Sequence, residues 1–185
     1  MGKMKYSIFY LFIGLSITFN LNAQISSDHS DMVEEINQFK NFYRYQNFYL
    51  TGQPSLETLE WLKSQNVVKI INLRTEEENK VYAESAYDEK VIIEKMGFEY
   101  YSLPVNGIEG YTSENLNNFI NLLSKDEKIV IHCRTATRVT DFFMAYLINK
   151  EGYSINEAVE IGRKIKFYLP LEVLLGKKIN MRINK

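Results

Sequence analysis

Short apolar runs alternate along this chain with segments in which apolar residues recur at helical spacing. Runs that are rich in β-branched residues and bounded by polar ones are typical of strands buried on both faces of a parallel sheet. Two such runs predict strands within residues 67–73 and 128–131, and residues 98–103 are expected to form a third strand.

The segments between these runs predict helices. A helix is indicated by an N-cap residue before an amphipathic stretch, by a glycine after it, and by apolar residues at i, i+3, i+4 and i+7. Before the first of these runs we expect a short helix within residues 32–42 and an aromatic-rich edge strand within 41–50. Further helices are expected after Ser55, over residues 80–96 up to Gly97, from Leu116, from Val139 and after Ser154, which forms a capping box with Glu157.

The alternation of strands and helices predicts an α/β fold in which helices flank a central parallel-type sheet. Ligands bind to such sheets beyond the carboxyl ends of the strands. Cys133, the only cysteine, lies between the last apolar run and the helix expected from Val139. The candidate functional site is therefore at this edge of the sheet.

The first residues have the pattern of a targeting segment. Lys3 and Lys5 precede an apolar stretch over residues 6–21, and Ala23 offers a small residue for cleavage. The pattern predicts a secretory signal peptide over residues 1–23 and a periplasmic or secreted protein. The alternative is an uncleaved membrane anchor, for which the apolar stretch is slightly short.

The charge balance excludes some classes of partner. A formal net charge of −1 gives no global basic field of the kind that nucleic acids attract. Residues 163–185 are uneven, with seven Lys or Arg and one acid. Such a segment is commonly a solvated helix face and tail, and the functional alternative is contact with an anionic membrane or substrate. A single cysteine excludes an internal disulfide.

The candidate chemistry is concentrated in the loop at Cys133. A thiol becomes a good nucleophile when its anion is stabilised, and a helix N-terminus supplies partial positive charge and free N–H donors. Arg138 can hold two phosphate oxygens in its planar fork. Thr140 is a candidate donor to the sulfur, and His132 can brace the loop. The candidate phosphate-binding residues are Arg134, Thr135, Ala136, Thr137 and Arg138.

His132-Cys133 followed by Arg138 resembles the signature of the dual-specificity protein-tyrosine-phosphatase family, which is His-Cys, five residues, Arg and Ser or Thr. The chain is similar in particular to a bacterial branch with one residue fewer between Cys and Arg. Thr-Gly-Gln-Pro at 51–54, Lys-Ile-Ile-Asn-Leu-Arg at 69–74 and Leu-Pro-Val at 103–105 extend the resemblance.

The resemblance implies a three-layer sandwich and a phosphocysteine mechanism that needs neither metal nor cofactor. The substrate would be a phosphorylated protein, lipid, or inositol or sugar phosphate. We expect a polar segment at 24–40, a phosphatase-like domain at 41–176 and a basic tail at 177–185.

Two features depart from the family pattern. The four residues between Cys133 and Arg138 include no glycine, and Ala136 is the least bulky candidate for a positive φ that a tight loop often needs. Asn106 stands where the family usually has an aspartic general acid, and Glu109 is the nearest carboxyl group. Loss of general-acid help costs about 10²–10⁴-fold in rate for poor leaving groups.

Two other functions remain open. Sulfurtransferases of the rhodanese kind resemble this chain in the short cysteine loop, but they would return to a strand where the capped helix after Gly152 is expected. The second is a non-catalytic phosphate-binding module, suggested by Asn106 and by the loop without glycine.

Overall fold

The computed structural model describes residues 29–167 and 171–178. Its strands are β1 (Val33–Glu35), β2 (Phe42–Tyr45), β3 (Phe48–Thr51), β4 (Lys69–Asn72), β5 (Glu99–Ser102) and β6 (Ile129–His132). They form one sheet in the order β1-β2-β3-β6-β4-β5. The strands β3, β6, β4 and β5 are parallel, and β1 and β2 extend the sheet in antiparallel pairing. The expected α/β fold is confirmed.

Seven helices flank the sheet within the described ranges. They are α1 (Leu56–Ser64), α2 (Glu76–Ser85), α3 (Glu89–Lys95), α4 (Ser113–Leu122), α5 (Thr137–Asn149), α6 (Ile155–Ile165) and α7 (Leu171–Leu175), with 3₁₀ turns at His29–Met32 and Gly107–Gly110. None of these helices is both long and apolar enough to span a bilayer.

Two hydrophobic clusters lie on opposite faces of the sheet because neighbouring strand residues point to opposite sides. Ile71 and Ile131 face the larger cluster, which buries α4, α5, α6 and α7. Ile70 and Val130 face the smaller one, which buries α1 and α3. The two clusters give the three-layer sandwich, and the larger one surrounds α5, which buries every residue from Val139 to Leu147.

Several local expectations need correction. The helix expected within residues 32–42 is wrong, because Val33–Glu35 pairs with β2 as an edge strand. The single edge strand expected within 41–50 is a hairpin that turns at Gln46, which has φ 53°, and its second strand is interior. The helix expected over 80–96 is two helices, since Asp88 starts a new one as its N-cap.

Other local expectations are confirmed. Ser55 caps α1, and Ser154 and Glu157 form the capping box of α6. Gly97 ends α3 with φ 78°, a conformation that favours glycine. The predicted signal peptide at 1–23 and the last residues of the predicted basic tail lie outside the described ranges.

Candidate active site

The cysteine loop joins the end of β6 to the start of α5, at the carboxyl edge of the parallel strands. Cys133 follows the buried strand directly, and α5 begins at Thr137. Ala136 has φ 69° and ψ −7°, which is the left-handed conformation that the loop was expected to need there. The tight turn is therefore made without glycine, at an alanine that is fully buried.

The Thr-Gly-Gln-Pro segment lies directly behind this loop. The amide of Cys133 donates to the Thr51 carbonyl at 3.3 Å, and the amide of Gln53 donates to the Arg134 carbonyl at 3.2 Å. A Cβ at Gly52 would lie 3.1 Å from that same carbonyl oxygen, which is tighter than ordinary contact. Glycine at this position lets the two backbones pack together and fixes the outer side of the loop.

The first turn of α5 is open to a ligand. Its N-cap is Ala136, which has no side-chain oxygen to accept from the helix amides. Among the described residues, the amides of Thr137, Arg138 and Val139 have no backbone carbonyl acceptor. Free amides and the helix dipole together favour an anion at this point.

Arg138 lies in that first turn and its guanidinium is anchored on one edge. Nη1 donates to Glu78 Oε2 at 2.8 Å, to the Leu73 carbonyl at 3.1 Å and to the Val105 carbonyl at 2.9 Å, while Nη2 donates to Glu78 Oε1 at 2.7 Å. These bonds use Nη1 and Nη2 and none of them uses Nε. They fix the side chain, and the guanidinium also forms a hydrogen bond with Cys133.

Glu78 is a positioning residue that sequence reasoning missed. Its carboxylate pairs with both terminal nitrogens of Arg138 and also accepts from the amide of Thr75 at 2.9 Å in the capping box of α2. Burial alone would raise the pKa of Glu78, but the bonds from Arg138 and Thr75 outweigh it and lower the pKa below its ordinary value. Glu78 is therefore an ionised anchor.

The sulfur of Cys133 lies beside the same guanidinium. Burial alone would lower the pKa of Arg138, but the hydrogen bonds that it donates to Glu78 and the neighbouring charge of Cys133 raise it. The Cys133 residue is only 1% exposed and is not among the residues that line the cavity next to Arg138. The nucleophile candidate and its arginine are brought together as expected.

A cavity of about 430 Å³ opens above Arg138. Its walls come from the start of α2, the loop that follows β5 and the first turn of α5. The residues that line it are Thr75, Glu78, Asn106, Gly107, Ile108, Tyr111 and Arg138.

The expected general-acid position has no acid. Asn106 lines the cavity, and its amide cannot act as a carboxylic acid. Glu109 is exposed in the 3₁₀ turn and is not among the lining residues. Glu78, the one carboxylate in the wall, is held ionised by Arg138.

His132 lies behind the loop, and the bracing role expected for it stays a prediction. Its Nε2 lies 2.9 Å from Glu89 Oε1, and both side chains are almost completely buried. Asn72 donates to the other oxygen of Glu89 at 3.0 Å and to the Tyr100 hydroxyl at 2.8 Å. This buried network fixes the residue that precedes the nucleophile, and the sequence contained no spacing that revealed Glu89.

One residue of α5 differs from expectation. The Thr140 hydroxyl donates to the Ala136 carbonyl at 2.9 Å, so in this structure it braces the loop and does not donate to the sulfur. Asp141 follows Thr140 in the same helix and is fully buried. Its Oδ2 accepts from the Tyr111 hydroxyl at 2.8 Å, which ties the cavity wall to α5.

The remaining candidate residues have different positions. Arg134 and Thr135 are exposed on the outer side of the loop, and Thr137 is half-buried at the start of α5. Arg74 is buried, donates to the Glu78 carbonyl at 2.7 Å and to Gln53, and lies over the Tyr82 ring at 5.1 Å. It supports the wall, and its pairing is with the backbone of Glu78 and not with a carboxylate.

The described part of the chain contains no cluster of His, Cys, Asp or Glu with metal-site geometry. The expectation that the chemistry needs neither metal nor cofactor stays a prediction.

Solved structures share this fold at low sequence identity. A DUF442 protein from Shewanella putrefaciens CN-32 has a TM-score of 0.56 and 18% identity over 76% of this chain and 91% of its own. TpbA of P. aeruginosa, solved in complex with pTyr, has a TM-score of 0.56 and 14% identity over 71% and 77%. The core catalytic domain of the PP-IP phosphatase SIW14 of S. cerevisiae has a TM-score of 0.51 and 17% identity over 68% of this chain and 76% of its own.

Comparison with curated proteins finds no match. A family model described as "DSP-PTPase phosphatase fused to NAD+ Kinase" matches residues 23–157, which is most of the chain. The protein with this anchored arginine and cysteine loop therefore belongs to that DSP-PTPase phosphatase family.

Proposed function

We propose that the chain hydrolyses a phosphate monoester through a phosphocysteine intermediate. The observation that supports this most directly is the convergence of Cys133 and Arg138 at the uncapped start of α5. A thiolate, a planar cation and free amides at one point match the needs of phosphoryl transfer, where positioning and charge stabilisation provide most of the catalysis.

In the first step the Cys133 thiolate attacks phosphorus, an S–P bond forms and the P–O bond to the leaving group breaks. The amides of the loop and Arg138 hold the phosphoryl oxygens through both steps. In the second step water attacks phosphorus, the S–P bond breaks, inorganic phosphate leaves and the thiolate is regenerated. Arg138 can serve in both because Glu78 holds its other edge.

The leaving group receives no proton from a carboxylic acid in this cavity, because Asn106 occupies the wall and Glu78 is ionised. Aryl oxyanions are stable enough to leave without one, whereas alkyl oxyanions are not. We therefore propose that aryl esters react faster than alkyl esters, by about the 10²–10⁴-fold that general-acid catalysis is worth.

The test is a comparison of the chain with its Cys133→Ser variant on an aryl phosphate. We expect the variant to lose turnover by at least about 10³-fold, since the nucleophile acts with its partners as a unit. Binding of vanadate or phosphate to the variant should remain, because the amides and Arg138 are unchanged. Retained turnover in the variant would contradict the mechanism.

A second candidate is a phosphate-binding module without turnover. Two observations favour it. Cys133 is only 1% exposed, and Glu78, the one carboxylate among the lining residues, is ionised and paired with Arg138. Oxyanion binding with no Cys133-dependent turnover of any aryl ester would support this candidate. Sulfurtransferase activity is tested with the same purified chain, with thiosulfate and cyanide supplied in place of the aryl ester.

For the compartment, we propose export by the signal peptide expected over residues 1–23. Recovery of the cleaved chain from the periplasm or medium, and its absence there when residues 1–23 are deleted, tests this. A uniformly cytoplasmic, uncleaved chain would contradict it. Membrane contact through the basic C-terminal segment stays a prediction that vesicle sedimentation can check.

A further inference from the structure

We propose that the rim of the cavity selects its substrate by charge: it accepts a single phosphate on an apolar carrier with a positive group nearby, and it rejects polyanions. This inference rests on the proposed phosphatase activity and adds the substrate class. It is carried by the acidic and apolar residues that surround the cavity above Arg138.

Acidic residues flank both walls of the cavity. At the start of α2, Thr75 is followed by Glu76, Glu77 and Glu78, and residues 105–111 include Glu109. Together these two segments have four carboxylates and neither Lys nor Arg. Glu78 lines the cavity, whereas Glu76, Glu77 and Glu109 are exposed beside its lining residues.

The cations close to the cavity are already engaged. Arg138 is paired with Glu78, which offsets its positive charge. Arg74 is buried against Gln53 and the Glu78 carbonyl.

Two further cations lie outside the cavity wall. Lys80 is one turn along α2 and lines a neighbouring cavity together with Glu76. Arg134 is exposed on the outer side of the cysteine loop and is not among the lining residues. Within the described ranges, no lysine or second arginine lines the cavity to neutralise a second phosphate.

The rim also has an apolar contact. Ile108 lines the cavity and is 56% exposed. Its neighbour Gly107 has φ 50°, which sets the turn that presents Ile108 to the opening. A flat or aliphatic carrier group can pack on this side chain while its phosphate lies below.

These charges act over the Debye length, which is about 8 Å at physiological ionic strength. A lysine next to the phosphorylated group is attracted by the acidic rim, and a second phosphate or a glutamate is repelled. Electrostatic attraction of this kind changes association rates by about 10–10³-fold.

The experiment measures kcat/KM of the purified chain on three phosphotyrosine peptides of equal length, in which lysine, alanine or glutamate flanks the phosphotyrosine. Inositol hexakisphosphate is the polyanionic probe. We expect kcat/KM to be highest for the lysine peptide, lower for the alanine peptide and lowest for the glutamate peptide, with about 10-fold between the first and the last. Inositol hexakisphosphate should be turned over least. The differences in kcat/KM between the peptides should become smaller at higher salt, because the rim charges are exposed and are screened.

In the double variant Glu76→Lys with Glu77→Lys, the three peptides should have similar kcat/KM values, or the glutamate peptide should become the best substrate. The matched control is Glu94→Lys with Glu99→Lys, which makes the same change of charge at exposed residues toward the opposite edge of the sheet, where β5 begins. The control should keep the original order. Neither pair of substitutions removes a residue placed in the catalytic site.

The outcomes separate this inference from the proposed function. Turnover that depends on Cys133 but is equal for all three peptides, or faster on the glutamate peptide or on inositol hexakisphosphate, overturns the charge selection only. Equal effects of the two double variants also overturn it, because the rim would then act no differently from remote charge. No Cys133-dependent turnover of any probe overturns the proposed function itself.

Discussion

Two helices of the larger hydrophobic layer begin in opposite ways. α6 starts with a complete capping box, in which Ser154 accepts from the amide of Glu157 at 3.2 Å and Glu157 accepts from the amide of Ser154 at 2.8 Å. α5 starts with Ala136 in the left-handed conformation and has no side-chain cap. One N-terminus is closed by the protein itself, and the other is left open.

The difference shows where stability is given up. A serine or threonine cap contributes about 0.5–2 kcal/mol, and a left-handed alanine costs about 1–2 kcal/mol, so α5 begins less favourably on both counts. Five helices of this fold use a side-chain cap. The open end is the one that follows Cys133, as an anion site requires.

The strongest test of the open end is Arg138→Lys. Lysine keeps the positive charge but cannot hold Glu78 with two nitrogens and a phosphoryl oxygen with another. We expect kcat/KM on an aryl phosphate to fall by about 10²–10³-fold, as when one preorganised donor is lost from an oxyanion site. Steady-state kinetics measure this, and a loss below threefold would mean that charge alone is sufficient.

The shape of the open end is tested at Ala136. A β-branched side chain is strained at φ 69°, so Ala136→Val should lower the free energy of unfolding by about 2–3 kcal/mol. Ala136→Gly should change it by less than about 1 kcal/mol, because relief of strain offsets the loss of a buried methyl group. Urea unfolding of both variants measures these changes. A stable valine variant would show that the loop adopts another conformation.

Two capping boxes provide a matched pair of glutamates. Glu78 closes the box of α2 and anchors Arg138, whereas Glu157 closes the box of α6 and contacts Ser154 and His29. Glu78→Gln should lower kcat/KM by about 10–100-fold, the range found when a residue that orients a ligating group is removed. Glu157→Gln should leave kcat/KM unchanged, and equal losses would show that the effect is only one of helix stability.

The same pair predicts a pH dependence. The pKa of Glu78 is lowered in the folded state by Arg138 and Thr75 despite burial, so its contribution to stability is present above the ordinary carboxyl pKa and is lost as the pH falls through the lowered one. The stability difference between the chain and Glu78→Gln should therefore be full at neutral pH and should shrink in acid. Urea unfolding from neutral pH down to pH 3 measures it.

The smallest effect is expected at the closed end. Ser154→Ala removes the cap of α6 and should lower the free energy of unfolding by about 1 kcal/mol. Activity should not change, because Ser154 contacts Glu157 and no residue of the site. Thermal unfolding and the aryl phosphate assay measure both quantities, and a loss of activity would mean that the two ends are coupled.

The sequence was sufficient for features that arise within a few residues. The left-handed position at Ala136 follows from sterics, because its threonine neighbours are β-branched, and the capping box at Ser154 follows from spacing. Glu78 could not be identified in this way. It is one of three consecutive glutamates, and its partner is 60 residues further along the chain. Glu89 pairs with His132. The two residues belong to different elements, so no local sequence pattern links them.

The errors near the N-terminus have a different cause. β1 has only three residues and two of them are glutamates, so it has no apolar alternation to detect. Its pairing with β2 depends on the sheet that is already present beside it. The break between α2 and α3 was missed because Asp88, a good N-cap, stands inside a stretch that otherwise has helical composition.

The guanidinium of Arg138 donates hydrogen bonds to the carbonyls of Leu73 and Val105 and to the carboxylate of Glu78. These three residues belong to three separate segments of the chain. A ligand that pulls on this one side chain loosens or tightens all three segments together. Amide hydrogen exchange should therefore register oxyanion binding simultaneously after β4, at the first turn of α2 and in the loop before Asn106, and that shared protection pattern would act as a built-in reporter of occupancy.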